Sequence, residues 1–359
     1  MDTLFEITKK PYSDMMRERN QRRDNGLTVV STFSGCGGSS LGMKQAGWRV
    51  PYAVEFIDSA RETYQANFTD TFVDARDIRE IDAQDILDHL QIKQGELDML
   101  EGSPPCSSFS SANVSKQARF GSNKIKSYSD GVEQSTDDLF DEWLRLVEGL
   151  RPRAVLAENV PGMLQEDAID FLHHVTSTLQ ELGYVLNVDV YKVSHYGSAT
   201  ARKRLIFQGI RRDQNVKPTP PATVSDRYTL RDAIDALEVQ IPDDEMKHAR
   251  NLAPSYLREW ELLNPGEGSD VIFQITRAHY DQPLPTITVG GSKSAADPLH
   301  PDEPRKFTAT EVKWITGFPS DFILTGTPAQ RYERIARAVP PPLYYAHASH
   351  MAQLLERTL

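Results

Sequence analysis

Cysteine is scarce in this chain: 359 residues hold two, Cys36 and Cys106. Two thiols make no disulfide framework, and neither sits in the spacing of a zinc site. Reduced thiols fit a cytoplasmic protein. No apolar run approaches the roughly 20 residues that a membrane helix needs, so no membrane partner is expected. The opening stretch, MDTLFEITKKPYSDMMRERNQRRDNG, is polar and charged and lacks the apolar core of a secretory signal. Positive charge is also short. Lys and Arg number 40 against 51 Asp and Glu, a formal net charge of -11. That balance argues against a general nucleic-acid binder, yet a local basic groove can work on an acidic protein. No internal repeat or low-complexity tract is present.

What the chain does contain alternates. Residues 28–33 (TVVSTF), 52–56 (YAVEF), 97–100, 154–157, 185–193 and 205–210 read as strands. Between them lie helical patterns. In DDLFDEWLRLVEGL the apolar residues Leu139, Phe140, Trp143, Leu144, Leu146, Val147 and Leu150 recur with helical period. AIDFLHHVTSTLQELG does the same and stops at Gly183. Strand-helix alternation predicts an α/β fold, a mainly parallel sheet with helices on both faces. Ligands of such sheets bind at the carboxyl ends of the strands. The pattern changes after Ile210, where RRDQNVKPTPPATVSDRY reads as a linker. A turn-rich region follows, and helical periodicity returns from about Phe307. The expected division is an N-terminal extension (1–26), a catalytic and cofactor-binding domain (27–210), a small target-recognition domain (211–300) and a C-terminal helical segment that returns to the catalytic domain (301–359).

Gly35, Gly37 and Gly38 follow the first strand directly, in TFSGCGGSSLGM, and let the backbone turn tightly beside a ligand. A dinucleotide fingerprint would need a third glycine where Ser40 stands, so this turn need not cradle a pyrophosphate. Glu55, about twenty residues on, is placed to hold ribose hydroxyls. Phe56 can stack on an adenine ring. Asp77, with Ile78, is placed to accept from an adenine amino group. Ribose and adenine without pyrophosphate suggest S-adenosylmethionine. A plain strand-turn-helix with an ordinary surface acid would carry the same glycines.

EGSPPCSSFSSAN places Cys106 after two prolines, in a loop of serines. A thiol attacks well only as a thiolate, and polar surroundings favour that form. Cys36, inside the glycine turn, would touch cofactor and reads as a small packing residue. The fourth strand ends in Glu158, Asn159 and Val160, on the same rim as Cys106, where a carboxyl group can serve as a proton donor. Arg202 and Arg204 precede the last strand, and residues at i and i+2 point to one side. A solvated basic turn would look the same.

Taken in order, these segments resemble the cytosine-C5 DNA methyltransferase family, over residues 28 to about 348. The resemblance rests on Phe33, Gly35, Gly37 and Gly38; on Glu55; on Asp77 and Ile78; on Pro105 and Cys106; on Glu158 to Val160; and on Arg202 and Arg204. It continues through Arg277, PLPTIT with Thr286, FTATEVKWITGFPSDF and RIARAVPP. It implies the fold of an S-adenosylmethionine-dependent methyltransferase, Rossmann-like, with a small target-recognition domain. It also implies a reaction: Cys106 adds to cytosine C6, Glu158 contacts N3 and the exocyclic amine, Arg204 contacts O2, and Arg202 supports the site. Phe33, Ser34, Gly35, Cys36, Gly37, Gly38, Glu55, Phe56, Asp77, Ile78 and Pro105 would line the cofactor. Double-stranded DNA would meet Ser108, Lys116, Arg119, Lys124 and Lys126 of the loop after Cys106, together with Arg277 and Thr286. The target cytosine would be flipped out of the duplex. No metal is implied, and single copies of each motif imply a monomer on DNA.

Four residues depart from the family pattern. Thr200 stands where Gln is usual, Ala336 and Arg337 where Gly-Asn is common, and Ser31 where an acid often opens the first motif. Other readings are the same chemistry on tRNA, a catalytically silent binding relative, and a nucleotide-dependent dehydrogenase. The tRNA branch carries Cys-Phe-Thr, which this chain lacks. Retention of Cys106, Glu158 and both arginines opposes silence, and the missing third glycine opposes a dehydrogenase.

Overall fold

Val29 and Val30 are adjacent, fully buried, and belong to different core clusters. That alternation, the period of two that a strand imposes, organises the molecule. In the computed structural model, which describes residues 9–21, 24–105, 125–127, 131, 133–135, 138–272, 275–287 and 297–356, the chain begins with α1 (Tyr12–Arg19). Then come β1 (Thr28–Thr32), α2 (Gly38–Gln45), β2 (Arg49–Val54), α3 (Asp58–Asn67), β3 (Phe72–Asp74), α4 (Ala83–Leu90) and β4 (Met99–Gly102). A short hairpin of β5 (Ile125–Ser127) and β6 (Glu133–Ser135) follows. Next are α5 (Leu139–Leu150), β7 (Ala154–Asn159), α6 (Ile169–Glu181), β8 (Tyr184–Lys192) and β9 (Lys203–Arg211).

Seven strands form one sheet in the order β3-β2-β1-β4-β7-β9-β8. The pairings from β3 through β7 are parallel, and β9 runs antiparallel to both of its neighbours. A parallel partner needs a crossover helix. Only residues 193–202 join β8 to β9, so the pair is antiparallel by necessity. The sheet is therefore mainly parallel, as the alternating pattern implies. The chain turns from β1 toward β2 on one side and β4 on the other, so the topological switch lies between β1 and β4.

One face of the sheet carries Val30, Leu100, Val155 and Phe207 against α4, α5 and α6. All seven apolar residues of α5 picked out by helical period are buried. Each such side chain contributes roughly 1.5–3 kcal/mol of transfer free energy. The other face carries Val29, Met99, Leu156 and Ile206. It packs against α2 and a C-terminal helix, α12 (Pro341–Glu356), whose Leu343, Tyr344 and Met351 share that core. The Trp48 indole donates to the Ala348 carbonyl at 3.0 Å and fastens α12.

Between β9 and α12 lie α7 (Leu230–Asp235), α8 (Asp243–Arg250), α9 (Pro254–Leu262), α10 (Ala309–Ile315) and α11 (Pro328–Arg337). Helices α7, α10 and α11 each start with a capping box, from Thr229, Thr308 and Thr327. A separate small cluster of Ile275 and Leu299, with Tyr256 and Trp260 against it, forms around α9. The segment before β1 does not trail away: Tyr12, Met15 and Met16 of α1 enter the core that α10 and α11 build. The Tyr12 hydroxyl donates to the Trp314 carbonyl at 2.8 Å, and Arg19 donates to the Tyr196 carbonyl at 2.6 Å. Among the described residues no helix is long and apolar enough to cross a membrane.

Candidate active site

A cavity opens at the carboxyl ends of β1, β2 and β4, at the topological switch. Its floor is the turn after β1: Phe33, Ser34, Gly35, Cys36 and Gly38. Phe33 takes φ 53, a conformation that non-glycine residues seldom hold. The Ser103 hydroxyl fixes the Phe33 carbonyl at 3.2 Å. Gly37, at φ 95, caps α2 in the left-handed region and does not itself line the cavity. Gly38 is required for another reason: a Cβ there would overlap the Val339 carbonyl oxygen. The close approach these glycines permit is thus to the chain's own C-terminal segment as well as to a ligand.

Glu55, Phe56 and Ile57 after β2 make one wall, and Ile78 another. Glu55 is buried and its carboxyl is pushed up by desolvation, opposed by two backbone donors. These are the amides of Gly35, at 2.6 Å, and Ile57, at 2.7 Å. Each carboxylate oxygen offers two lone-pair sites, so Glu55 pins the turn and still has acceptors to present to hydroxyls. Phe56 is half-buried on the wall. Cys36 is buried, and burial pushes its thiol up to about 12, so it packs and does not react. Asp77 is not on the cavity surface. It caps the turn of residues 78–80 and pairs with Arg79 at 2.9 Å, so its carboxylate is already engaged beside the pocket.

The last wall comes from far along the chain. Arg334, Arg337, Ala338 and Val339 close the cavity from α11 and the turn after it. Arg334 and Arg337 pair with Glu333, at 3.3 and 2.8 Å. Sequence reasoning quoted RIARAVPP as part of the resemblance but named none of these residues as cofactor contacts, nor Ser39 and Ser103, because a wall brought from far along the chain leaves no local signal.

Pro105 lines the same cavity, and Cys106 is the next residue, outside the described ones. Asn159, at the end of β7, donates to the Pro104 carbonyl at 3.1 Å and ties that strand to the Pro-Pro segment. Glu158 precedes it and forms an ion pair with Arg204 of β9; both side chains are nearly buried. Arg202 goes elsewhere: its guanidinium donates to the carbonyls of Ala336, at 2.7 Å, and Arg337, at 3.2 Å. It holds the turn that walls the cavity.

The departures now have structural partners. The Thr200 hydroxyl donates to the Leu284 carbonyl at 3.1 Å, within a parallel bridge between those two residues. Ser31 lies directly opposite Glu101 of β4 and donates to its carboxylate at 2.7 Å. A carboxyl thus reaches the neighbourhood of Ser31 from the adjacent strand.

Arg277 turns inward. It donates to the carbonyls of Pro301 at 2.8 Å and Leu263 at 2.9 Å, and lies 4.0 Å from the Trp260 ring centroid. These bonds hold the small cluster together. Thr286 is exposed. Ser108, Lys116, Arg119 and Lys124 fall outside the described residues, and of Lys126 only its place in β5 is described. Among the described residues no cluster of ligands could hold a metal ion.

The family model for C-5 cytosine-specific DNA methylase matches residues 27–353. The Type II methyltransferase M.NgoPII of Neisseria gonorrhoeae is 28% identical over 360 residues, covering 93% of this chain and 97% of that protein. M.PspPI of Psychrobacter sp., also a Type II methyltransferase, is 29% identical over 381 residues, covering 99% and 86%. The solved structure of a candidate DNA modification methyltransferase from an E. coli prophage shares the fold, with a TM-score of 0.72 at 24% identity over 92% of this chain and 99% of that one. The chain belongs to the C-5 cytosine-specific DNA methylase family.

Proposed function

We propose that this protein transfers a methyl group from S-adenosylmethionine to C5 of a cytosine flipped out of a specific duplex DNA sequence. The observation that carries the reading is the shared edge: Pro105 lines the cavity, and Asn159, beside the Glu158–Arg204 pair, holds the Pro104 carbonyl. Methyl donor and attacking thiol then meet at one end of one sheet. The cavity fits the donor through Glu55 for the ribose hydroxyls and Phe56 for the adenine. Arg334 and Arg337 offer positive charge for a carboxylate. The donor supplies an electrophilic methyl carbon on a sulfonium.

The residues act as follows. The Cys106 thiolate forms a bond to cytosine C6, and the C5–C6 π pair moves to C5. Glu158 and Arg204, as a hydrogen-bonding pair, hold N3 and O2 and stabilise the charge that develops there. The bound donor would supply its methyl carbon to C5, its carbon–sulfur bond breaking to leave a neutral thioether. A base removes the C5 proton, the Cys106–C6 bond breaks, and the ring double bond returns. Flipping costs roughly a few kcal/mol, and the Lys and Arg residues of the loop after Cys106 offset part of it at the phosphates. One copy of each motif supports a monomer on DNA, and the reduced thiols support a cytoplasmic setting.

The test is base-resolution mapping of 5-methylcytosine after incubation with S-adenosylmethionine and a mixture of unmethylated duplex DNA and unmodified RNA. Methylation confined to one short DNA motif is expected. Methylation of RNA alone would move the substrate class, and no methylation of either would favour a silent relative.

A further inference from the structure

Glu101 is fully buried, yet the other residues of β4 are Met99, Leu100 and Gly102. An apolar side chain would serve packing better, because an unpaired buried carboxylate is costly. Its place is specific. It faces Ser31 across the β1–β4 pair, at the topological switch. The Ser31 hydroxyl donates to it at 2.7 Å and lies 2.9 Å from the Ser34 hydroxyl. The Ser39 hydroxyl from α2 also faces the carboxyl. Ser34 and Ser39 line the cavity and Glu101 does not, so one layer of hydroxyls separates it from a ligand there.

Other polar groups surround it. From α12 comes the Tyr344 hydroxyl, and from β7 the Glu158 carboxylate, itself paired with Arg204. Tyr64 of α3 is near and donates to Ser40 at 2.9 Å. Among the described residues no Lys or Arg forms an ion pair with Glu101. A cation arriving in the cavity would supply the missing partner.

We propose that Glu101 is a positioning residue that reads the charge of the methyl donor, its ionised carboxylate favouring the cationic sulfonium over the neutral thioether left after transfer. The inference rests on the cavity being the S-adenosylmethionine site. Burial pushes the Glu101 carboxyl up to about 7, with Glu158 adding to the effect, so its proton is poised to leave near neutrality. Binding of a cation favours ionisation and releases that proton. By linkage, sulfonium affinity rises as pH rises through the carboxyl's range. A neutral thioether gains much less. Methyl transfer removes the positive charge, the carboxyl takes up a proton again, and product release is eased.

The experiment is calorimetric titration of the full chain with S-adenosylmethionine and, separately, S-adenosylhomocysteine, at about pH 6 and about pH 8. The wild-type protein should bind the sulfonium roughly five-fold or more tightly at the higher pH. The thioether should change far less. In Glu101→Gln, which keeps the side chain's shape, that pH-dependent preference should vanish. The preference surviving in Glu101→Gln, or both ligands sharing one pH dependence in the wild type, would overturn the proposal. Should the variant not fold, wild-type titrations in buffers of different ionisation enthalpy decide it. Proton release with the sulfonium and not with the thioether supports the proposal, and equal release overturns it. No binding of either ligand at either pH would instead overturn the reading of the cavity, and this proposal with it.

Discussion

Glu55 shows how one side chain serves both fold and site. Its two oxygens take the amides of Gly35 and Ile57, so the face proposed to meet the ribose is set by the bonds that fix the turn. Glu55→Ala should weaken S-adenosylmethionine binding by about ten- to a hundred-fold, as loss of charged hydrogen bonds worth roughly 1.5–3 kcal/mol implies. Calorimetry on the variant and on a DNA duplex separately would test this. Equal losses for both ligands would point to general loosening. Cys106→Ser should abolish methylation while leaving cofactor affinity unchanged, because Cys36, buried and with its thiol pushed up to about 12, cannot substitute. Retained turnover would remove Cys106 from the mechanism. The proposed role of Cys106 comes from the resemblance that the succession of motifs carries. The engagement of Asp77 with Arg79 was not legible in the sequence, because a carboxylate's partner is chosen in space.

At the level of elements, two joints hold the site together. The first is α2 against the turn before α12, where Gly38 meets the Val339 carbonyl. Gly38→Ala forces a backbone shift and should destabilise by roughly 1–3 kcal/mol, as overpacking does. Thermal melts would show it, and S-adenosylmethionine affinity should fall with stability because Val339 lines the cavity. The second joint is β7 to the Pro-Pro segment, through Asn159 and the Pro104 carbonyl. Asn159→Ala frees the backbone two residues before Cys106. It should lower kcat about a hundred-fold, the scale of misplacing a reacting group, with cofactor affinity little changed. A matching loss of cofactor affinity would show that the joint supports the pocket instead. Helical period marked α5 fully, since its buried stripe is local. These joints carry no period and are visible only once β4, β7 and α12 have packed.

Across the whole molecule, α12 closes the sheet and buries His347, with no hydrogen-bond partner among the described residues for either ring nitrogen. Burial pushes the imidazole from 6.5 down to about 3, with His350 adding to the effect. A histidine whose folded pKa is depressed contributes stability above its unfolded value and loses it as pH falls. Stability should therefore decline between about pH 6.5 and pH 3 as protons bind the unfolded chain. His347→Leu removes that liability. Its melting temperature relative to wild type should rise steadily as the pH is lowered through this window. A constant difference at every pH would mean that His347 does not titrate on unfolding.

The sequence alone determined six of the seven strands of the main sheet, the helices α5 and α6, the glycine turn and the succession of motifs. Periods of two and of 3.6, turn residues and short spacings are local properties that survive without a fold. Tertiary structure decided the rest. It brought Arg334, Arg337 and Val339 to wall a cavity whose floor begins at Phe33. It set Glu101 under Ser31 from the neighbouring strand. It spent Arg202 on the turn after α11 and Arg277 on the small cluster. Charged side chains are long and their hydrogen bonds are directional, so their partners depend on which atoms packing delivers within about 3 Å, and no spacing along the chain encodes that.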